Sequence, residues 1–399
     1  MKTKHALKIK VVLALLIPFV TYSCGGSSAE DISENSASNY KLEVFDSLQF
    51  NLLTKDIWVA DVNTQTGDIL VIQPSPPVAW IYDKSLNAKT KLELPEDHPE
   101  GVGSFILSAT FFDKDIALMG WRVVNIYDKE FNFKKSMRPH YGPTELLSLG
   151  KKNIYQFYNK DDNPQLVTYF GQPQTELHGL LEAYYDEFNI VDIVNPAMSK
   201  TPRDTVFKPL GELTPDSRFR SGRSFTSLQP RIDVSENLLF YALNVDTTLF
   251  VRSLPEGDII ESYSIPFDEF ILNPGKQMGM AGATRSGGSF GHPGIIDEVF
   301  HTGEFDLIIY QSGLKRSVLD QFDRQSPDYF DKTRKANYRK YLIVKNGERL
   351  NRDLRLNPKV SSIQFVDDDG VFYASQNLQA LEKEPEKYTI YKLRIVEDN

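Results

Sequence analysis

The densest set of side chains able to do chemistry is Arg218-Phe219-Arg220-Ser221-Gly222-Arg223-Ser224-Phe225, with Arg231 close behind. A guanidinium presents paired N–H donors that fit a carboxylate or sulfate bidentately. Arg218, Arg220, Arg223 and Arg231 are therefore the candidate ligand-binding residues. A uronic acid, a sulfated glycan or a peptide C-terminus would satisfy them. The competing reading is a solvated loop whose arginines pair with nearby acids. Trp58, Trp80 and Trp121 offer flat apolar faces, either for stacking on sugar rings or for packing between sheets.

Catalytic motifs are present only in outline. Gly287-Gly288-Ser289-Phe290-Gly291 has the spacing of a nucleophile elbow, which needs a strand before the serine and a helix after it. Here a loop-like stretch precedes it, and His292-Pro293-Gly294 follows and would not continue a helix. Gly282 to Ser289 mimics a phosphate loop, but glycine stands where the lysine is required. His98, His140, His178, His292 and His301 show no His-x-x-x-His spacing, so a zinc site is not encoded locally. Lys160-Asp161-Asp162-Asn163 and Asp367-Asp368-Asp369-Gly370 lack the twelve-residue calcium pattern and read as acidic hairpin turns. The expectation is no catalytic residue, no metal and no cofactor.

The formal net charge of the 399-residue chain is -9. Without the four lysines of residues 1–23, 41 basic residues stand against 54 acidic ones. Such a surface repels phosphate backbones, so no nucleic-acid partner is expected. Cys24 is the one cysteine, which excludes an intramolecular disulfide. Ahead of it lie a basic segment (Lys2, Lys4, Lys8, Lys10), an apolar run from Val11 to Val20, and Thr21-Tyr22-Ser23. The apolar run is too short to span a bilayer, which needs about 17–25 residues. The pattern reads as a signal peptide over 1–23. Residues 24–39, small and acidic, read as a flexible tether.

What positions any site must be β-sheet. Aromatic residues make up 12% of the chain, and such side chains suit a pleated, half-buried surface. Short apolar runs alternate with turn residues: Ile57–Val62, Ile69–Ile72, Val78–Tyr82 and Ala88–Leu94 read as a four-stranded meander. Ile81-Tyr82-Asp83-Lys84-Ser85-Leu86-Asn87 recurs as Ile126-Tyr127-Asp128-Lys129-Glu130-Phe131-Asn132, 45 residues later. A period of about 40–50 residues with four strands each marks a propeller blade. Each sheet is apolar on both faces and must stack on two neighbours, so a ring follows. Six units are visible over residues 40–399, which form a single domain. The fold class is thus an all-β, six-bladed β-propeller of four-stranded antiparallel blades with loop and helical insertions; seven or eight blades, or two β-sandwiches, are the alternatives. Strand-like Tyr40–Phe45 and Ile390–Leu393, at opposite ends, fit one shared blade. Helical insertions are expected over Leu177–Phe188 and over Val318–Arg339.

The whole arrangement resembles a bacterial lipoprotein, in which Cys24 becomes the lipidated first residue. The Pro99-Glu100-Gly101-Val102-Gly103-Ser104-Phe105 loop, the repeated Ile-Tyr-Asp-Lys turn and the C-terminal Tyr391-Lys392-Leu393 extend the likeness. Together they resemble Bacteroidota outer-membrane lipoproteins with an uncharacterised six-bladed, TolB-like propeller. The resemblance implies lipid anchoring in the outer membrane, at the cell surface or facing the periplasm. It supplies no catalytic residues. The function expected is a non-catalytic binding module for a glycan, a peptide or a partner protein. A propeller-type glycan hydrolase or lyase, and a structural subunit of an outer-membrane complex, stay open beside it.

Overall fold

The computed structural model describes residues 40–52, 56–121, 123–139, 153–171, 181–200, 206–225, 228–278, 291–352, 354–383 and 385–398. Cys24, the signal segment 1–23, the tether 24–39, His140, His178 and Gly287–Phe290 lie outside them. Among the described residues are six four-stranded antiparallel sheets. Blade 1 comprises Trp58–Asn63, Asp68–Gln73, Val78–Tyr82 and Ala88–Glu93. Blade 2 spans Ser108–Phe112 to Phe133–Met137, blade 3 Ile154–Tyr158 to Phe207–Glu212, and blade 4 Pro230–Ser235 to Ile259–Ser264. Blade 5 runs from Ile295–His301 to Glu348–Arg349, and blade 6 begins with Val360–Val366. The first strand of each blade contacts the first strand of the next, and Val360–Val366 returns to Trp58–Asn63. The sheets therefore close into a ring of six; neither seven or eight blades nor two sandwiches describe the chain.

The reason is visible in the alternation of side chains. Successive residues of a strand point to opposite faces. In blade 1, Leu70 and Ile72 enter a core shared with Ala109, Phe111 and Leu118 of blade 2. Their neighbours Ile69 and Val71 enter a core with Tyr373, Tyr388 and Ile390 of blade 6. Leu239 and Tyr241 of blade 4 likewise face blade 3, while Phe240 and Ala242 face blade 5. Strands buried on both faces read as continuous apolar runs, whereas an outermost strand such as Ala88–Glu93 is largely exposed and polar.

The ring closes through one composite blade. Tyr40–Phe50 pairs antiparallel with Tyr388–Glu397, from Tyr40 opposite Glu397 to Phe50 opposite Tyr388. The first and last strands among the described residues thus share a sheet, as their strand-like patterns predict, and one sheet edge is covered. The insertion between Asp306–Gln311 and Lys340–Lys345 carries the helices Arg316–Leu319 and Tyr329–Ala336. The expected helix before Phe188 is short among the described residues, Glu182–Asp186, with Tyr184, Tyr185 and Phe188 buried against blades 3 and 4.

The repeated turn has a single physical cause. Asp83 Oδ1 accepts the backbone N–H of Ser85 and Asn87, at 2.8 and 2.9 Å. Asp128 Oδ1 accepts those of Glu130 and Asn132, at 3.0 and 2.8 Å. These bonds hold Leu86 and Phe131 at φ of 61° and 63°, a conformation side chains resist. Asn159 and Asp367 make the same pair of bonds in blades 3 and 6, so both acidic segments are hairpin turns. Bonds from Asn132 also hold the Asp128 carboxyl below its ordinary value. Asp128→Ala is expected to lower the urea midpoint at unchanged slope; an unchanged midpoint would show that the turn holds without its side chain.

Candidate functional site

The first strands leave an axial cavity of about 250 Å³, lined by Trp58 of blade 1, Arg231 of blade 4, Asp297, Glu298 and Ile309 of blade 5, Arg339, and Ser362, Ile363 and Gln364 of blade 6. A void of about 20 Å³ adjoins it through Trp58 and Gln364 and reaches Tyr155 of blade 3. That is room for about one water.

Asp297 and Glu298 are adjacent in sequence, and in a regular strand one of them would point away. Instead the register passes from Ile296 opposite Tyr310 to Glu298 opposite Ile309, leaving Asp297 as an extra residue. A β-bulge of this kind re-aims side chains, and here both carboxylates line the cavity. Asp297 is engaged by Arg339 Nε at 2.8 Å and by Gln311 Nε2 at 3.4 Å. Arg231 Nε donates to Ile296 O at 3.2 Å, which carries the guanidinium across the seam from blade 4 to blade 5. Trp58 is fixed by its indole N–H, which donates to Asp56 Oδ1 at 3.0 Å. Buried Gln364 is structural: its amide N–H donates to Ile57 O and its oxygen accepts from Val59 N, both at 3.1 Å, stitching blade 6 to blade 1.

Two aspartates, half-buried Asp61 and buried Asp233, join neighbouring blades at matching places. Asp61 Oδ2, the fourth residue of its strand, accepts from Thr110 Oγ1 at 2.6 Å and Phe111 N at 2.7 Å in blade 2. Asp233, also fourth in its strand, accepts from His301 N at 2.6 Å in blade 5. Burial pushes the Asp61 carboxyl up to about 6 and that of Asp233 to about 7, overcoming the hydrogen bonds that favour the charge. Tyr155 donates to Ile232 O at 3.1 Å. Burial, then the Asp233 and Glu298 carboxylates, raises its hydroxyl well above the ordinary range.

The structure separates the four arginines read from the sequence. Arg218 lies 5.4 and 5.2 Å from the rings of Phe219 and Phe225. It donates to Val245 O at 3.2 Å and to Asn273 O. Arg220 donates to Asp186 O at 3.3 Å and stands 3.9 Å from the Glu212 carboxylate. Arg223 donates to Gly275 O at 2.9 Å. These three bind mainly main-chain carbonyls and tie the connection between blades 3 and 4 to its surroundings. Arg231 alone reaches the axis. Trp80 packs in the core between blades 1 and 6, whereas Trp58 lines the cavity.

Sequence reasoning missed Asp297, Glu298 and Arg339. The two acids had a signal, a polar pair inside the apolar run Ile295-Ile296-Asp297-Glu298-Val299-Phe300 that breaks alternation and marks a bulge; Arg339 had none. His98 Nδ1 accepts from Glu100 N at 3.2 Å, and His301 stacks on Phe240 at 3.7 Å and meets Asp306 at 2.8 Å. Among the described residues no three His, Cys, Asp or Glu side chains are placed to hold a metal ion. Gly291 and His292, after the glycine-rich stretch, pair with Leu314 and Lys315 in a two-stranded ladder.

Fold and cavity define a six-bladed β-propeller module with a charged axial funnel. No family model and no curated sequence matches the chain. Its fold is similar to that of a DUF4221 family member from Bacteroides vulgatus: TM-score 0.58 at 11% identity, covering 91% of this chain and 100% of that one. Looser similarities are to a Bacteroides fragilis protein assigned as exported, with TM-score 0.48, 13% identity and coverage of 92% and 97%. A PQQ-bound aldose sugar dehydrogenase from Streptomyces coelicolor has TM-score 0.47, 12% identity and coverage of 90% and 99%. At these identities what is shared is the fold. Among the described residues no helix is long and apolar enough to cross a membrane.

Proposed function

We propose that this protein is a lipid-anchored propeller of the outer membrane that binds its ligand without catalysis, and that the axial funnel is the binding site. The anchor is the Cys24 thiol, which follows a basic segment and a short apolar run. The observation that carries the binding site is the cavity of about 250 Å³, where the Trp58 indole of blade 1 converges with four charged side chains: Arg231 of blade 4, Asp297 and Glu298 of blade 5, and the strand-preceding Arg339. Concave sites with a few convergent polar groups are where ligands bind. The volume is below the roughly 300–1,000 Å³ usual for drug-sized ligands. It suits one sugar unit or one amino-acid residue, presented free or at the end of a glycan, a peptide or a partner protein.

The test is a combined glycan and peptide array probed with the wild-type chain and with Trp58→Ala. Binding that falls at least tenfold in the variant, at unchanged thermal stability, supports the funnel. Wild-type binding that the variant retains places the ligand elsewhere. A second reading, a glycan hydrolase, is favoured by Asp297 and Glu298 lining one cavity, since glycosidases work through paired carboxylates. Release of reducing ends from a bound glycan, lost in Glu298→Gln, would establish it.

A further inference from the structure

The charges in the funnel do not cancel in the way its composition implies. Asp297 and Arg339 neutralise each other at 2.8 Å. Arg231 spends only Nε, on Ile296 O, and its two terminal nitrogens have no partner among the described residues. Glu298 lines the same cavity and makes no hydrogen bond or close ion pair among them, although its charge also acts on Arg339 and on the Tyr155 hydroxyl. One cation and one anion are thus held on adjacent blades without a direct contact of their own, since Arg339 bonds Asp297 and acts on Glu298 only at a distance. The main-chain bond that fixes Arg231 falls two residues before Glu298. Leaving charged groups partly desolvated and unpaired is costly unless something complementary arrives.

We infer that the funnel takes a zwitterion of single-amino-acid size, its carboxylate on the Arg231 guanidinium and its ammonium on Glu298, with Trp58 covering the carbon skeleton. This inference rests on the funnel being the binding site. A purely anionic ligand would satisfy Arg231 but face the Glu298 carboxylate. A purely cationic one would do the reverse, and a neutral sugar would bury both charges without neutralising either. Only a ligand carrying both charges pairs both groups, and each mispairing is a discrimination against the alternatives. The guanidinium fork matches a carboxylate bidentately, and an ammonium beside an indole gains a cation–π contribution.

The experiment is calorimetric titration of the full chain with the common L-amino acids, then with the N-acetyl and amide forms of the best binder, and with neutral monosaccharides. The expected result is a free amino acid binding at least tenfold tighter than either half-charged form. Arg231→Met should remove the advantage over the amide, and Glu298→Gln the advantage over the N-acetyl form. Equal binding of the three forms would overturn the inference, as would no amino-acid binding at all. Glu298→Gln preserves shape and keeps the test decisive if Arg231→Met does not fold. Binding of a neutral sugar, lost in Trp58→Ala, would overturn the zwitterion while keeping the funnel. Absence of any Trp58-dependent binding would remove both.

Discussion

Deleting residues 40–50 is expected to abolish the cooperative unfolding transition, because that segment is the strand that closes the ring. Its removal strips the partner from Tyr388–Glu397 and leaves a long edge open to pairing with other chains. It also takes Leu48 and Phe50 out of the core between blades 6 and 1. Phe50 is 1% exposed and meets Tyr82 edge-to-face at 4.9 Å, so it fastens the closing strand to blade 1 as well as to its own sheet. Phe50→Ala alone should cost about 3–5 kcal/mol, a large share of the roughly 5–15 kcal/mol that stabilises a typical domain. Thermal and urea unfolding, with gel filtration for aggregation, provide the measurement. A deletion variant that still melts cooperatively near the wild-type midpoint would show that five complete blades hold without the seam.

The second large effect is a loss of stability as pH rises from about 4 to about 8. Asp233 and Asp61 are raised by burial to about 7 and about 6. In the unfolded chain they would titrate near 4. Between those values the folded state holds protons that the unfolded state has released, so their contribution is complete below about pH 4 and declines as pH climbs through 6 and 7. For Asp233 the linkage is on the order of 4 kcal/mol, at about 1.4 kcal/mol per pKa unit. Asp246 and Asp367 are also raised, by burial first, and act in the same direction. Asp233→Asn mimics the protonated side chain. It should flatten much of the slope across this window and make the protein more stable than wild type at pH 8, less about 1 kcal/mol for one lost acceptor. Urea unfolding at pH 5 and pH 8 decides it. Wild-type stability that increases over this range, or an unchanged slope in the variant, would contradict the linkage.

The fold was largely legible because its cause is local. Ile69 to Ile72 has no polar break, and a strand apolar on both faces has to be stacked on both sides. The Asp83 and Asp128 turns could be matched because each makes its bonds within four residues of itself. The site was less legible. Arg218, Arg220 and Arg223 stand out in sequence by density, but the acceptors that engage their side chains lie 27 to 55 residues away or across a blade connection, and most are carbonyls that no sequence pattern marks. Arg231 shared their appearance and had a different fate, since it is the second residue of a first strand and so faces the axis.

From its residues alone the chain is committed to short doubly apolar strands, Asx-held turns and matching strand segments at its two ends, since these depend on contacts between near neighbours and on period-two alternation. Which charges meet was decided only by closure: the ring brings residues 58, 231, 298 and 362 to one axis. A bulge invisible to composition turns Asp297 and Glu298 to the same side. Backbone preference propagates along the chain, whereas charge pairing depends on distance in space, and only the closed ring sets that distance.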